Sequence, residues 1–314
     1  MQGPDRRQFL QAGVAAAALA ASSATAAEGD AFPVVDTHQH LWDRKKFRLP
    51  WITAGSFLDR DYLPKDYAEA IRGTGIRTAV YLEVDVDPKQ QQAEADYIAG
   101  LCKSGATPTR VAVISGRPGD DGFAAYIRPF KEHPSIRGVR RVLHGGETPA
   151  GHCLEKNFVR GVRLLGELGL HFELCMRPAD LPDATKLVDA CPDTRFVLDH
   201  CGNADLQRHE QWKKDIAELA KRKNVVGKVS GVVAQAERGK WKSDDLAPVV
   251  NHTLAVFGPD RVMFGSDWPV CLKGAALAEW LKALREIVAE RKRDEQRKLF
   301  YANAVAFYRI PEAK

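Results

Sequence analysis

Four side chains have the types and spacing of groups that act together on a small molecule. His38 and His40 form an H-x-H pair directly after the apolar run Val34-Val35-Asp36-Thr37. In extended chain, residues i and i+2 point to the same side. Both imidazoles therefore face one site, at a spacing that suits a divalent metal. His200 stands in Asp199-His200-Cys201-Gly202, directly after the apolar segment Phe196-Val197-Leu198. Asp267 stands in Gly265-Ser266-Asp267-Trp268-Pro269, after Val262-Met263-Phe264. Taken singly, each has an ordinary explanation: surface-loop histidines, or for Asp267 a helix N-cap. Three segment ends carrying His, His, His and Asp define one polar centre, suited to acid–base or metal-assisted chemistry. Lys228 closes a buried-looking segment, so its charge requires a partner or a task. Glu83, at the end of another such segment, is the expected partner or a contact for substrate hydroxyls.

The elements that carry these groups alternate regularly. Short apolar strands are expected at 34–37, 77–84, 111–114, 136–142, 172–176, 195–199, 225–229 and 261–265. Helical periodicity fills 66–72, 90–102, 123–130, 156–168, 179–191, 211–221 and 246–257, and two more helices are expected at 275–291 and 294–307. The strands are apolar on both faces, as parallel strands are when helices cover them. Eight strand–helix units predict an α/β fold, a single (β/α)8 TIM barrel with an extra C-terminal helix. Such a barrel carries its chemistry at the C-terminal strand ends, where the four groups fall. No G-x-G-x-x-G follows a strand, which removes the main support for a dinucleotide-binding sheet.

The chain has 314 residues, 45% hydrophobic and 28% charged, with a net charge of +5. Mean hydropathy is −0.32. These values exclude wholesale disorder and a polytopic membrane protein. The basic residues are interspersed, without a Lys/Arg run and interleaved aromatics, so nucleic acid is not expected as a partner. The six cysteines are scattered without C-x-x-C, which excludes a zinc ribbon. Their default role is that of small core hydrophobes; a disulfide or a site role for Cys175, Cys201 or Cys271 is the alternative.

The first 27 residues read as an export signal rather than part of the fold. Arg6-Arg7 precedes an Ala-rich apolar run, and Ala24-Thr25-Ala26 supplies a small-residue cleavage site. The twin arginines before Phe9-Leu10 resemble a twin-arginine signal. The run falls short of the about 20 residues of a membrane span. The barrel is then expected over 28–314, in a periplasmic or otherwise exported enzyme whose export machinery is a transient partner. Nothing in the sequence sets an oligomeric state.

The motifs resemble a known family. Val35-Asp36-Thr37-His38-Gln39-His40-Leu41-Trp42, Gly138-Val139-Arg140-Arg141-Val142-Leu143, Val197-Leu198-Asp199-His200-Cys201-Gly202, Lys228-Val229-Ser230-Gly231 and the segment from Phe257 to Pro269 occur in that order. Together they are similar to the amidohydrolase superfamily, in its amidohydrolase 2 branch of TIM-barrel lactone hydrolases. The resemblance runs from about residue 33 to 308, and Gly-Ser-Asp-Trp-Pro is its most specific part. It implies a hydrolase that opens a sugar-acid or related carboxylated lactone. Asp267 is then the base that takes a proton from water. His38, His40 and His200 either help a metal polarise the carbonyl or donate hydrogen bonds to the oxyanion. The implied cofactor is one zinc-like divalent ion on His38, His40 and Asp267, or no metal. A two-metal centre would need a bridging group such as a carboxylated Lys on strand four, where this chain has Arg140 and Arg141. It would also need a His at the end of strand five, whereas His171 stands at its start.

Arg140 is expected to hold a substrate carboxylate or hydroxyls through its planar fork. Lys228, Glu83 and Trp42 are the other expected substrate contacts, with Trp51 and Trp268 as pocket walls. The alternative activity is a metal-dependent, nonhydrolytic decarboxylation, also found in this branch. A binding protein without chemistry is disfavoured, because binding alone would not require His38, His40 and Asp267 together.

Overall fold

Parallel strands buried on both faces form the centre of the structure. The computed structural model describes residues 32–146 and 148–311. The strands are β1 Val34–Gln39, β2 Ile76–Leu82, β3 Thr109–Ser115, β4 Ile136–Val142, β5 His171–Cys175, β6 Arg195–Leu198, β7 Val225–Val229 and β8 Val262–Phe264. They pair in sequence order, each parallel to the next. Contacts between β8 and β1 close the ring. Thr37 donates to the Phe264 carbonyl at 2.6 Å. His40 N donates to Trp268 O and Asp267 N to His38 O, both at 2.8 Å. The described residues from Val34 to Pro311 form one compact unit, a (β/α)8 barrel. The expected signal segment lies outside the described residues.

Helices follow the strands as the periodicity predicts: α1 Pro64–Ala70, α2 Gln91–Ser104, α3 Phe123–Ile127, α4 Lys156–Glu167, α5 Leu181–Ala190, α6 Glu210–Ala220, α7 Ser243–Phe257 and α8 Leu277–Ile287. Pro64 opens α1, where its missing N–H costs nothing. α2 stops at Gly105 in the left-handed conformation (φ 66°). The expected last helix is broken into α9 Arg293–Arg297, a π-helical turn at Lys298–Ala302, and α10 Asn303–Tyr308. This C-terminal segment packs into the barrel. Ala304, Tyr308 and Ile310 join Val35, Val80 and Val111 in one apolar cluster.

Two strand limits differ from expectation in ways that matter for the site. β1 extends through Gln39, so His38 belongs to the barrel wall rather than to a loop. β5 begins at His171, which is fully buried between Phe307 and Tyr308, with ring centroids 5.1 and 5.2 Å away. His171 therefore packs against the C-terminal segment.

All six cysteines are buried and free. No described helix is long and apolar enough to cross a membrane.

Candidate active site

Asp36, early in β1, fixes the end of β8. Its carboxylate accepts from the Ser266 amide at 2.7 Å, the Ser266 hydroxyl at 2.5 Å, the His38 amide at 3.1 Å and the Tyr67 hydroxyl at 2.8 Å. Burial pushes Asp36 above the usual carboxylate range against these bonds. The clamp locks the turn that carries Asp267 onto the strand that carries His38.

His38 and His40 converge on Asp267. His40 Nε2 lies 3.4 Å and His38 Nε2 3.8 Å from Asp267 Oδ1. The His38 and His40 rings are 4.9 Å apart, and His200 stands 4.4 Å from His38. The carboxylate of Asp267 thus faces these rings and caps no helix. His40 Nδ1 meets the Leu82 carbonyl at 3.0 Å. A carbonyl only accepts, so Nδ1 carries a proton, and Nε2 is the ring nitrogen turned toward Asp267. Ser230 Oγ holds His200 Nδ1 at 2.9 Å. Burial keeps His200 below the usual imidazole range, opposed by Asp267 and Asp199.

Beneath these groups is a layer of buried charge. Lys228 donates to Glu173 Oε2 at 2.6 Å and lies 3.1 Å from Asp199 Oδ1 and 3.2 Å from His38 Nδ1. Arg140 spans Glu83, with Nε to Oε1 and Nη2 to the backbone carbonyl both at 2.6 Å, while Nη1 meets His38 Nε2 at 3.2 Å. Burial works against a charged Asp199, yet Lys228 and His38 hold it well below the usual range. Burial, reinforced by Lys228, keeps His38 well below the usual imidazole range. Asp199 is therefore ionised and His38 neutral near pH 7.

Above the layer opens a cavity of about 420 Å³. Its lining includes His40, His200, Asp267 and Arg140 from the expected set, and Trp51. His38, Lys228, Glu83, Trp42 and Trp268 are buried but do not line it. Lys228 and Glu83 are not each other's partners either. Lys228 takes Glu173 and Asp199, and Glu83 takes Arg140. Their expected substrate contacts are thereby corrected to support of the groups above. Arg140 reaches the cavity, but its fork is engaged by Glu83. Trp42 donates to Arg60 O at 2.7 Å and braces Trp51 at 5.9 Å between ring centroids.

Sequence reading missed Asp85, His144, Asn203, Gln235 and Lys273, all of which line the cavity, as does Cys175, for which a site role was the alternative. They lie on strand ends and loops with no motif. Burial, then His200 and Arg140, lowers His144 to about 4, so it is neutral near pH 7. One signal is visible in the backbone. Of the described non-glycine residues with positive φ, Asp85, His200, Cys201, Asn203 and Asp267 are at or beside the cavity. Such strain gathers at functional sites.

The donor set can hold a divalent ion: atoms of His38, His200 and Asp267 all lie within 4.8 Å of one another. His40 Nε2 stands beside this group, 3.4 Å from Asp267 Oδ1.

Gly231 positions His200. Its φ is +67°, and an added Cβ would lie 2.5 Å from His200 Nδ1. Gly231→Ala is expected to cost about 1–3 kcal/mol from backbone strain, with further loss from the clash. Thermal unfolding checks this, and an unchanged Tm contradicts it.

A buried polar constellation at the C-terminal end of a (β/α)8 barrel is the architecture of an enzyme of the α/β-barrel class. The chain belongs to the amidohydrolase family, whose pattern matches residues 35–310. It is 30% identical over 297 residues to an L-fucono-1,5-lactonase of Burkholderia multivorans, covering 88% of this chain and 96% of that protein. A zinc-bound amidohydrolase crystal structure from Burkholderia multivorans is similar at a TM-score of 0.80 and 26% identity, covering 89% of this chain and all of the other. A manganese-bound 5-carboxyvanillate decarboxylase of Novosphingobium aromaticivorans shares the fold alone, at a TM-score of 0.67 and 15% identity over 89% of this chain and 97% of the other.

Proposed function

We propose that this protein hydrolyses lactones, with Asp267 as the base that activates water. The observation that carries this reading is the approach of His40, at the cavity surface, and of His38, buried behind it, to Asp267 in the cavity lining. The likeness to an L-fucono-1,5-lactonase over nearly the full length of both chains supports a sugar-acid lactone.

The lactone carbonyl enters the cavity above Asp267. Asp267 takes one proton as water oxygen bonds to the carbonyl carbon. Negative charge moves to the carbonyl oxygen, where His200 and the free N–H of Arg140 are the available donors. The ring C–O bond then breaks, and the leaving oxygen takes the proton from Asp267. The product is an open-chain hydroxy acid. His38, held by Asp199, Lys228 and Arg140, keeps Asp267 and His40 in register. A divalent ion held by His38, His40, His200 and Asp267 would supply Lewis-acid polarisation of the carbonyl. Trp51, with its Nε1 anchored on Val84 O at 2.7 Å, offers a fixed flat wall for the ring.

The motifs at residues 5–11 and 24–26 support a periplasmic or otherwise exported enzyme.

A panel of sugar lactones read by acid release tests the activity, with metal-analysed protein and with or without chelator. Release from at least one aldonolactone is expected. No release from any lactone would overturn the reading and turn attention to decarboxylation.

A further inference from the structure

The bottom of a (β/α)8 barrel ordinarily reports on stability rather than chemistry. In this chain the C-terminal segment crosses that division. Arg137 Nε donates to Tyr308 O at 2.7 Å, and Arg195 Nη1 to Phe307 O at 3.0 Å. Arg309 ends α10 with φ 50°. These contacts fix the fully buried Tyr308, whose hydroxyl donates to Glu173 Oε1 at 2.7 Å. His171 Nε2 meets the same oxygen at 3.1 Å. Its Nδ1 has no partner, so Nε2 carries the proton and donates. The other oxygen, Oε2, accepts from Lys228 at 2.6 Å, and Lys228 Nζ stands 3.2 Å from His38 Nδ1. The Lys228 ammonium also lies over the Tyr308 ring at 5.8 Å.

A continuous line of buried contacts therefore runs from Tyr308 through Glu173 and Lys228 to His38. We infer that Tyr308 is a positioning residue for the reaction: it locks the Glu173 carboxylate, and through Lys228 it sets the orientation of His38 beside Asp267. Without the hydroxyl, Glu173 Oε1 keeps only His171, and Glu173 can turn away from Lys228. Lys228 then shifts toward Asp199, and its contact with His38 Nδ1 is lost. His38 Nε2 lies 3.8 Å from Asp267 Oδ1, so the disturbance reaches the proposed base without any change in the cavity lining.

The kinetic part rests on the proposed lactone hydrolysis; the spectroscopic part does not. Tyr308→Phe keeps the ring and removes only the hydroxyl. It is expected to lower kcat by roughly tenfold, the scale for loss of a group that orients an active-site side chain. KM should stay unchanged, because no cavity contact is altered. The ring 15N shifts of His38, assigned by their loss in His38→Gln, should move away from the wild-type values. Glu173→Gln should move them in the same direction, and the double variant should be no worse than Glu173→Gln alone. If Tyr308→Phe fails to fold, the His38 shifts in Glu173→Gln decide the matter. Unchanged His38 shifts in the folded variants, or effects of the two substitutions that multiply, would overturn the inference. A wild-type enzyme inactive on every lactone would sink the functional reading while leaving the 15N comparison decisive.

Discussion

Asp267→Asn is expected to lower lactone turnover by roughly 10²- to 10⁴-fold, the span that a positioned acid–base group contributes. The amide keeps the size of the side chain and can still donate or accept a hydrogen bond, but it cannot take a proton from water. The fold should survive. Asp267 has φ 60°, and Asn is among the few non-glycine residues that tolerate the left-handed region. Its amide bond to His38 O uses the backbone alone. The measurement is steady-state hydrolysis of the best lactone alongside thermal unfolding. Turnover within a few-fold of wild type at unchanged Tm would remove Asp267 from the role of base.

Lys228→Met is expected to cause the largest loss of stability. Lys228, Glu173 and Asp199 are completely buried. Removing the shared cation strips Asp199 of its main counter-charge and Glu173, which burial already pushes up to about 8, of its closest donor; breaking a buried ion pair in this way costs about 3–5 kcal/mol. For a chain of this size that corresponds to a fall in Tm of about 5–8 °C. Two corrections to the simple view follow from the geometry. Arg140 remains 3.8 Å from Asp199 Oδ2, so Asp199 keeps partial compensation. Glu173 keeps Tyr308 and His171 as donors, and both bonds survive its protonation in rearranged form. Adding Glu173→Gln to Lys228→Met should therefore recover part of the loss. A Tm equal to wild type in the single variant would show that the layer contributes nothing to stability.

The barrel was legible in the sequence because its strands are short apolar runs separated by amphipathic helices. The limits of β4 and β7 coincide with the expected ranges. β1 was read two residues short because His38 and Gln39 are polar, although both are fully buried in the strand. The cluster of His38, His40, His200 and Asp267 could be read because each stands at a strand end, and parallel strands bring their ends together. The charge layer could not. Glu173 sits inside an otherwise apolar strand, and its bond to Lys228 spans 55 residues. The sequence showed that Lys228 needed a partner, but Glu83 and Glu173 both ended or occupied buried strands, and only the register of the barrel selects between them. The C-terminal segment posed the same difficulty: one helical pattern concealed the π turn at Lys298–Ala302, which separates α10 from α9. His144, Gln235 and Lys273 reach the cavity from connections whose paths are set by packing around the rim.

The separation between the charge layer and the cavity wall has a consequence for laboratory evolution. Trp51, His144, Gln235 and Lys273 can be randomised together, since none of them bonds to Lys228, Glu173 or Asp199. Libraries confined to this rim should retain expression yield while sampling new acceptors. Libraries that include the layer should consist mostly of insoluble clones.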